Sequence, residues 1–282
     1  MQSIKKINLD LTINSGQVFL WDKIYDSWYG VNGQDVLRVN QKPFEVIYNQ
    51  KTSNDLFRQG DNLEKILKDI CKDKIVRTAA LRFPGLRLMR QDPFQCYISF
   101  ICSSNSSISN IKQMLKKVCR KFGNRVNFFG NEFFVFPEAE KLANANLKDL
   151  LSCGLGFRAE SVKKASIAVV SGITDFELLK KMDYRTAKEK LKTIYGIGDK
   201  VADCILLFSL EKLEAFPIDR WTLRILQKYY SKKFYEVIGK SFTEKKYAIV
   251  HEKIVKHFGP YAGYSQQFLF KMERELNNRK WL

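Results

Sequence analysis

Lys200 and Asp219 are the residues around which chemistry can be built. They stand nineteen positions apart, within the stretch LKTIYGIGDKVADCILLFSLEKLEAFPID that runs from Leu191 to Asp219. Its pattern predicts a helix over Tyr184–Ile194 with Asp183 as N-cap, a glycine turn, and a second helix over Asp199–Leu210. Pro217 and Asp219 then open a third helix, with Asp219 as its N-cap. Gly196 and Gly198 bracket Ile197; glycines there allow positive φ and let a phosphate approach backbone N–H groups. Lys200 falls in the first turn of the second helix. The positive end of a helix disfavours an ammonium and favours a carboxylate. Lys200 is therefore expected to release its proton more readily than an ordinary lysine, while Asp219 stays ionised. A neutral amine beside a fixed carboxylate suits attack on an electrophilic carbon. Taken singly, the two residues read as a surface lysine and a capping aspartate. The glycine turn is what makes the combination specific.

The elements that must position this pair begin with short β-rich runs at Val18–Trp21, Ser27–Val31, Asp35–Val39 and Phe44–Tyr48, punctuated by Asn32-Gly33 and Lys42-Pro43. One or two amphipathic helices follow over 51–80. The segment Phe94–Ile101 is apolar on nearly every side and reads as a central helix. It ends in the polar run Cys102-Ser103-Ser104-Asn105-Ser106-Ser107, which reads on physics alone as a capping loop. Next comes a helix over Ile108–Phe122 with a lysine- and arginine-rich solvated face, then an aromatic loop or ribbon over 124–136. Helices are predicted over Pro137–Ala143, Asn146–Ser152, a segment reaching Val170, Thr243–His257 and Tyr261–Asn277. In the last, Gln266 and Phe270 are i and i+4 and share a face, as do Lys200 and Cys204.

Composition narrows the partners. The chain has 282 residues and 45% hydrophobic residues, enough for a sizeable core. Lys and Arg total 48 against 30 Asp and Glu, a net charge of +18 that favours a polyanionic partner, nucleic acid ahead of membrane. No run is long and apolar enough to span a membrane, and the N-terminal residues lack a signal-peptide core. The six cysteines form no C-x-x-C pair, and only His251 and His257 represent histidine, so zinc, redox and histidine-rich metal sites are not expected.

Gly196-Ile197-Gly198, Lys200 and Pro217-Ile218-Asp219 together resemble the signature of the helix-hairpin-helix DNA glycosylase superfamily. Four further segments resemble its 8-oxoguanine DNA glycosylase/AP lyase family: SGQVFLW at Ser15–Trp21, FICSSN at Phe100–Asn105, GLGFR at Gly154–Arg158 and YAGYSQQFLF at Tyr261–Phe270. The resemblance implies roles. The Gly16 carbonyl would accept a hydrogen bond from N7–H of the damaged base, which ordinary guanine lacks. Cys204 and Phe270 would cover the two faces of the base and Gln266 would bond its Watson–Crick edge. Asn105 would enter the space left by the extruded base, Phe157 would wedge into the stack, and Arg158 would read the estranged cytosine. Read without the resemblance, Gly16 sits in a turn entering an aromatic strand and Phe157 is equally a core residue. No cofactor or metal is implied, and the chain lacks the four cysteines of the iron–sulfur cluster that some superfamily relatives carry.

Two positions depart from the family. Asn110 stands where an arginine reads the opposite cytosine; it is shorter and uncharged, so selectivity for the opposite base is expected to weaken. Trp221 stands at a usual histidine position, where it must pack or bond through its indole N–H. The expected fold is α+β, an N-terminal antiparallel β-sheet domain packed on a mainly helical core containing the helix-hairpin-helix. Expected divisions are 1–80 for the sheet domain with its short helices and 81–282 for the core, with C-terminal helices returning to the first lobe. The resemblance implies a bifunctional enzyme of base excision repair that excises 8-oxoguanine from duplex DNA through a lysine Schiff base and cleaves the strand by β-elimination. It would act as an intracellular monomer, in the cytoplasm with the nucleoid of a prokaryote or in a eukaryotic nucleus. The alternatives are a glycosylase for other oxidised or alkylated purines, and a non-catalytic helix-hairpin-helix DNA-binding protein.

Overall fold

The structure, a computed structural model, describes residues 7–50, 55–237 and 241–278. In chain order these form α1 (Leu9–Ile13), the strands β1 (Trp21–Ile24), β2 (Ser27–Asn32), β3 (Asp35–Gln41) and β4 (Phe44–Tyr48), then α2 (Leu63–Ile70), α3 (Lys74–Arg82), α4 (Pro93–Cys102) and α5 (Ile108–Phe122). A hairpin of β5 (Arg125–Phe128) and β6 (Asn131–Phe134) precedes α6 (Ala139–Ala143), α7 (Leu147–Ser152), α8 (Arg158–Val170), α9 (Phe176–Lys181) and α10 (Tyr184–Lys192). The chain continues through α11 (Asp199–Ser209), α12 (Arg220–Tyr230), α13 (Glu244–Phe258) and α14 (Ala262–Asn278). Contacts divide it into two compact units. The first comprises Met1–Ser15, Leu56–Arg90 and Gly198–Leu282, and the second Gly16–Asp55 and Gln91–Ile197.

The second unit carries the expected antiparallel sheet, in the order β1-β2-β3-β4. Asn32 pairs with Asp35, so the two loop residues of the β2–β3 turn are Gly33-Gln34, one position later than an Asn-Gly turn would place them, with Gly33 at φ +62° in the first central position. The sheet is joined to the helical part by Gln95 of α4. Its Oε1 accepts from the Gly33 amide and its Nε2 donates to the Val31 carbonyl, both at 2.8 Å. Asp92 caps α4 by accepting from the Gln95 amide at 2.7 Å, and every side chain from Gln95 to Cys102 is buried. This is the central helix that the apolar run predicts.

In the first unit α11 plays the corresponding part, with all residues from Val201 to Ser209 buried. Its C-terminal end is tied down by Glu211, which pairs in bidentate fashion with the fully buried Arg58 at 2.8 and 3.0 Å. Arg90 adds a bond to the same carboxylate at 3.1 Å. Paired and hydrogen-bonded in this way, the buried charges hold the end of α11 in place.

Several boundaries differ from expectation. β1 begins at Trp21, so Val18, Phe19 and Leu20 are buried chain before the strand. Two short helices, α1 and α9, of five and six residues, were not foreseen. Each is marked by a cap, Asn8 and Asp175, whose side chains accept from Leu11 and Leu178 amides. The helices expected over 51–80 are α2 and α3, with 51–54 lying outside the described residues. The first helix of the hairpin ends at Lys192, with Thr193 as its C-cap, ahead of the predicted Ile194.

Candidate active site and nucleic-acid interface

The first unit brings Lys200, Cys204, Asp219, Gln266 and Phe270 together within its own elements. Lys200 and Cys204 follow one another along α11, and the lysine side chain hydrogen-bonds the buried thiol. Burial pushes the Cys204 thiol up to about 12, against the opposing pull of the Lys200 charge, and nearby Asp219 and Asp203 push it further in the same direction. Cys204 therefore stays a neutral thiol at physiological pH, an apolar surface and not a nucleophile.

Asp219 is the N-cap of α12, as predicted. Its Oδ1 accepts from the Thr222 amide at 2.7 Å, which fixes the carboxylate at the cap. The turn ahead of it is held from α13. The Ile218 amide donates to the Tyr247 hydroxyl at 3.0 Å, and that hydroxyl donates to Oδ2 of fully buried Asp203 at 2.5 Å. Asp203 immediately precedes Cys204 in α11. The Phe216 amide donates to His251 Nε2 at 3.2 Å, and the same nitrogen lies 3.9 Å from Asp203 Oδ2.

Helix α14 presses on the same elements because Gly263 has no side chain. A Cβ there would meet Leu207 Cδ1 at 2.1 Å and the Ala215 carbonyl oxygen at 2.9 Å. The Gly263 amide also donates to the Leu213 carbonyl at 2.8 Å. Three residues on, Gln266 is 5% exposed; its Nε2 donates to Thr222 Oγ1 at 3.3 Å and its Oε1 is buried with no partner among the described residues. Phe270, one turn later, is half-buried, with Arg274 Cζ 5.4 Å from its ring centroid. Burial lowers the pKa of Arg274, partly offset by the charge of Asp219. Trp221 is half-buried with Arg224 Cζ 5.2 Å from its ring centroid, so the indole at the usual histidine position packs beneath a cation.

The glycine turn behaves unequally at its two glycines. Gly196 has φ +87°, and a Cβ would lie 2.5 Å from Ser161 Oγ. Gly198 is extended, at φ −98° and ψ −176°, so it does not need the positive φ that the sequence reading offered both glycines. It is the N-cap of α11 with no side-chain cap bond, and nothing lies within 4 Å of where its Cβ would be. The first amides of α11 are thus left uncovered by any side chain of residue 198.

In the second unit, Asn105, Asn110, Gln113, Cys153, Gly154 and Arg158 line a polar cavity of about 210 Å³. Asn105 is exposed at its rim in the left-handed region, at φ +50°, a conformation that asparagine tolerates better than most residues. Arg158 holds that loop. Its Nε donates to the Ser104 carbonyl at 2.9 Å, and its Nη2 donates to the carbonyls of Ser104 and, at 3.2 Å, Asn105. Its Nη1 donates to the Leu155 carbonyl at 3.4 Å. Most of its donor capacity is engaged with backbone, which makes it the organiser of the Asn105 loop. Phe157 is 68% exposed and is not a core residue. Gly16 has φ +90° and lies between two pinned neighbours, the Ser15 carbonyl accepting from Gln267 at 3.1 Å and the Gln17 carbonyl from Gln91 at 2.8 Å.

Sequence reasoning missed Thr222, Tyr247, Asp203, His251 and Gly263. Only Thr222 carried a local signal, as the third residue of a helix whose N-cap is Asp219. The others act through partners distant in the chain. Among the described residues no helix is long and apolar enough to cross a membrane, and no group of three His, Cys, Asp or Glu is placed to hold a metal ion.

The sequence matches the family described as HhH-GPD superfamily base excision DNA repair protein over residues 98–246, and the 8-oxoguanine DNA glycosylase N-terminal domain over residues 2–97. It is similar to the N-glycosylase/DNA lyase OGG1 of Arabidopsis thaliana, at 31% identity over 95% of this chain and 78% of that one. It is also similar to the Clostridium acetobutylicum 8-oxoguanine glycosylase/lyase in its apo-form, with 28% identity and a TM-score of 0.84 over 94% of this chain and 92% of that one. The same Clostridium protein bound to double-stranded DNA with cytosine opposite 8-oxoG gives 29% identity and a TM-score of 0.84, over 96% and 93% of the two chains.

Proposed function

From a chain that belongs to the 8-oxoguanine DNA glycosylase family of the HhH-GPD superfamily, we propose an enzyme that excises 8-oxoguanine from duplex DNA through a Schiff base on Lys200 and then cleaves the strand by β-elimination. The observation that carries this reading is the set built on α11, α12 and α14. An amine is hydrogen-bonded to a neutral thiol, a capping carboxylate acts on the same thiol, and a buried amide lies one helical turn from an aromatic ring.

The net charge of +18 favours a polyanionic partner. The N-terminus of α11 at its Gly198 cap suits a phosphate, because a helix N-terminus offers N–H donors and a favourable dipole. A base buried in a duplex must be extruded before its sugar can be attacked. Phe157, exposed and rigid, is the wedge, and Asn105 occupies the vacated space beside the estranged base. The extruded base lies between Cys204 and Phe270. The Gly16 carbonyl accepts from N7–H, the proton that distinguishes the lesion from guanine, and Gln266 bonds the Watson–Crick edge.

The deprotonated Nζ of Lys200 forms a bond to C1′ as the glycosidic bond breaks, its electron pair leaving with the base, which takes up a proton. The carboxylate of Asp219 stabilises the positive charge that develops on the sugar. Opening of the C1′–O4′ bond gives the protonated imine. Loss of a proton from C2′ then expels the 3′ phosphate, and water hydrolyses the imine to free Lys200. The enzyme acts as a monomer and needs no cofactor, since the amine is the nucleophile.

Borohydride trapping on duplexes with one 8-oxoguanine opposite each of the four bases tests this. A covalent adduct is expected from the wild type and none from Lys200→Gln, which still binds the lesion. Strand cleavage by Lys200→Gln at the wild-type rate would overturn the assignment. Adduct yields spread evenly over the four partners would trace to Asn110, which lines the cavity beside Asn105.

A further inference from the structure

We infer that Gln113 is a specificity-determining residue: its amide meets the Watson–Crick edge of the base opposite the lesion, and its freedom to turn makes the site tolerant of that base. The inference rests on the reading above, in which Asn105 occupies the space left by the extruded base. A polar cavity of about 210 Å³ lies beside Asn105, entirely within the second unit. An estranged base next to Asn105 therefore faces this cavity, and the side chains that line it are the ones able to read its edge.

Arg158 is already occupied, because its Nε, Nη1 and Nη2 all donate to the backbone carbonyls of Ser104, Asn105 and Leu155. The other candidates lie on one face of α5, where Asn110, Gln113 and Lys117 follow at i, i+3 and i+7. Lys117 has donors only, and the edge of every base offers an acceptor, so an ammonium does not tell the bases apart. Asn110 and Gln113 offer both kinds of group. Asn110 sits in the first turn of α5, its backbone amide donating to Ser107 Oγ at 3.2 Å, and its side chain is the shorter. Gln113 lies one turn further on and is exposed, and its side chain makes no hydrogen bond to any described residue. Among the described residues it is the longest unengaged amide lining the cavity.

A primary amide presents an acceptor oxygen beside donor hydrogens, and half a rotation about its last torsion reverses their order. Nothing among the described residues holds that rotation in Gln113. Cytosine and adenine present an amino donor beside a ring-nitrogen acceptor. Guanine and thymine present a carbonyl acceptor beside a ring N–H donor. One orientation of the amide fits the first two bases and the reverse fits the others. An amide free to turn therefore pairs with every base, whereas a group with donors only or acceptors only would impose a choice.

Two substitutions impose that choice in opposite directions. Gln113→Glu keeps the size and offers acceptors only, which suits guanine, whose N1–H and N2–H are adjacent donors. Gln113→Arg offers donors only, which suits cytosine, whose N3 and O2 are adjacent acceptors. The position is exposed, so both variants should fold. The test is equilibrium titration of duplexes carrying a tetrahydrofuran abasic site opposite each of the four bases, with single-turnover release of 8-oxoguanine from the matching lesion duplexes. Gln113→Glu should raise the guanine-to-cytosine affinity ratio about tenfold, and Gln113→Arg should lower it by a similar factor. The wild type should show the narrowest spread of the three. A new charge near phosphates alters all four affinities alike and cancels in the ratio. Ratios that stay at the wild-type value in both variants, or move in the same direction, would overturn the inference, as would a wild-type spread as wide as either variant's. The expected shifts on abasic duplexes from a protein that releases no 8-oxoguanine would support Gln113 while refuting the excision reading. A wild type that binds none of the abasic duplexes would overturn both.

Discussion

The Tyr247 hydroxyl donates to the Asp203 carboxylate at 2.5 Å, joining α13 to α11. The same oxygen receives the Ile218 amide at 3.0 Å. One phenol thus connects the helix bearing Lys200 to the residue before Asp219. The two catalytic candidates, far apart in sequence, are held in register by a side chain on neither of their helices.

Tyr247→Phe should accordingly affect rate more than lesion affinity. It removes a donor from a fully buried carboxylate and an acceptor from the Ile218 amide, and should destabilise the fold by about 1–3 kcal/mol. Denaturant midpoints measure the first effect, and single-turnover base release with lesion-duplex binding measures the second. Loss of affinity with an unchanged rate would contradict the positioning role.

Gly196→Ala meets two obstacles. An added Cβ falls 2.5 Å from Ser161 Oγ, and the backbone lies at φ +87°. The variant should lose at least about 1 kcal/mol of stability, since alanine at positive φ is strained even where space exists. Duplex affinity should fall with it, and the salt dependence of binding should flatten as a phosphate contact is lost. Adding Ser161→Gly relieves the collision but not the backbone strain, so recovery should be partial. Full recovery would show that only the collision matters.

Phe157→Ala makes the opposite prediction. The ring is 68% exposed, with Arg158 Cζ 4.3 Å from its centroid, so little packing is lost. Stability should change by no more than about 0.5 kcal/mol. Lesion-duplex affinity should weaken by about 1–3 kcal/mol, the range for an aromatic stacked on a base. Thermal melting and titration with fluorescent duplex separate the two, and a large drop in melting temperature would return Phe157 to the core.

Acid stability should depend on Asp73. Burial raises its pKa, but bonds from His257, the Val76 amide and Tyr230 outweigh this and bring it from 3.8 down to about 2. A carboxylate with a depressed folded-state pKa stabilises the fold above its unfolded value and loses that contribution as pH falls through the folded one. The stability advantage of the wild type over Asp73→Asn should therefore shrink as pH falls from about pH 4 to pH 2. Urea unfolding across that range measures it; an advantage that grows on acidification would contradict the assignment.

What the sequence determined by itself was local. The glycine turn, Lys200 in the first turn of α11, Asp219 as the cap of α12, and the i, i+4 pairs Lys200–Cys204 and Gln266–Phe270 all rest on spacings within one helix or turn. There the helical period fixes which side chains share a face. The antiparallel sheet was legible locally too, through its β-rich runs and the Asn32-Gly33 turn signal. The tertiary structure alone decided the rest. It alone showed Tyr247 bridging Asp203 and Ile218, Thr222 holding Gln266, and Arg158 occupied with the carbonyls around Asn105. It also revealed that Gly263 is needed because Leu207 and Ala215 lie against it. Each of these depends on residues 29 to 56 positions apart, or on a conformation set by such contacts. No local period constrains such pairings, because they arise only when helices with separately buried faces pack against one another.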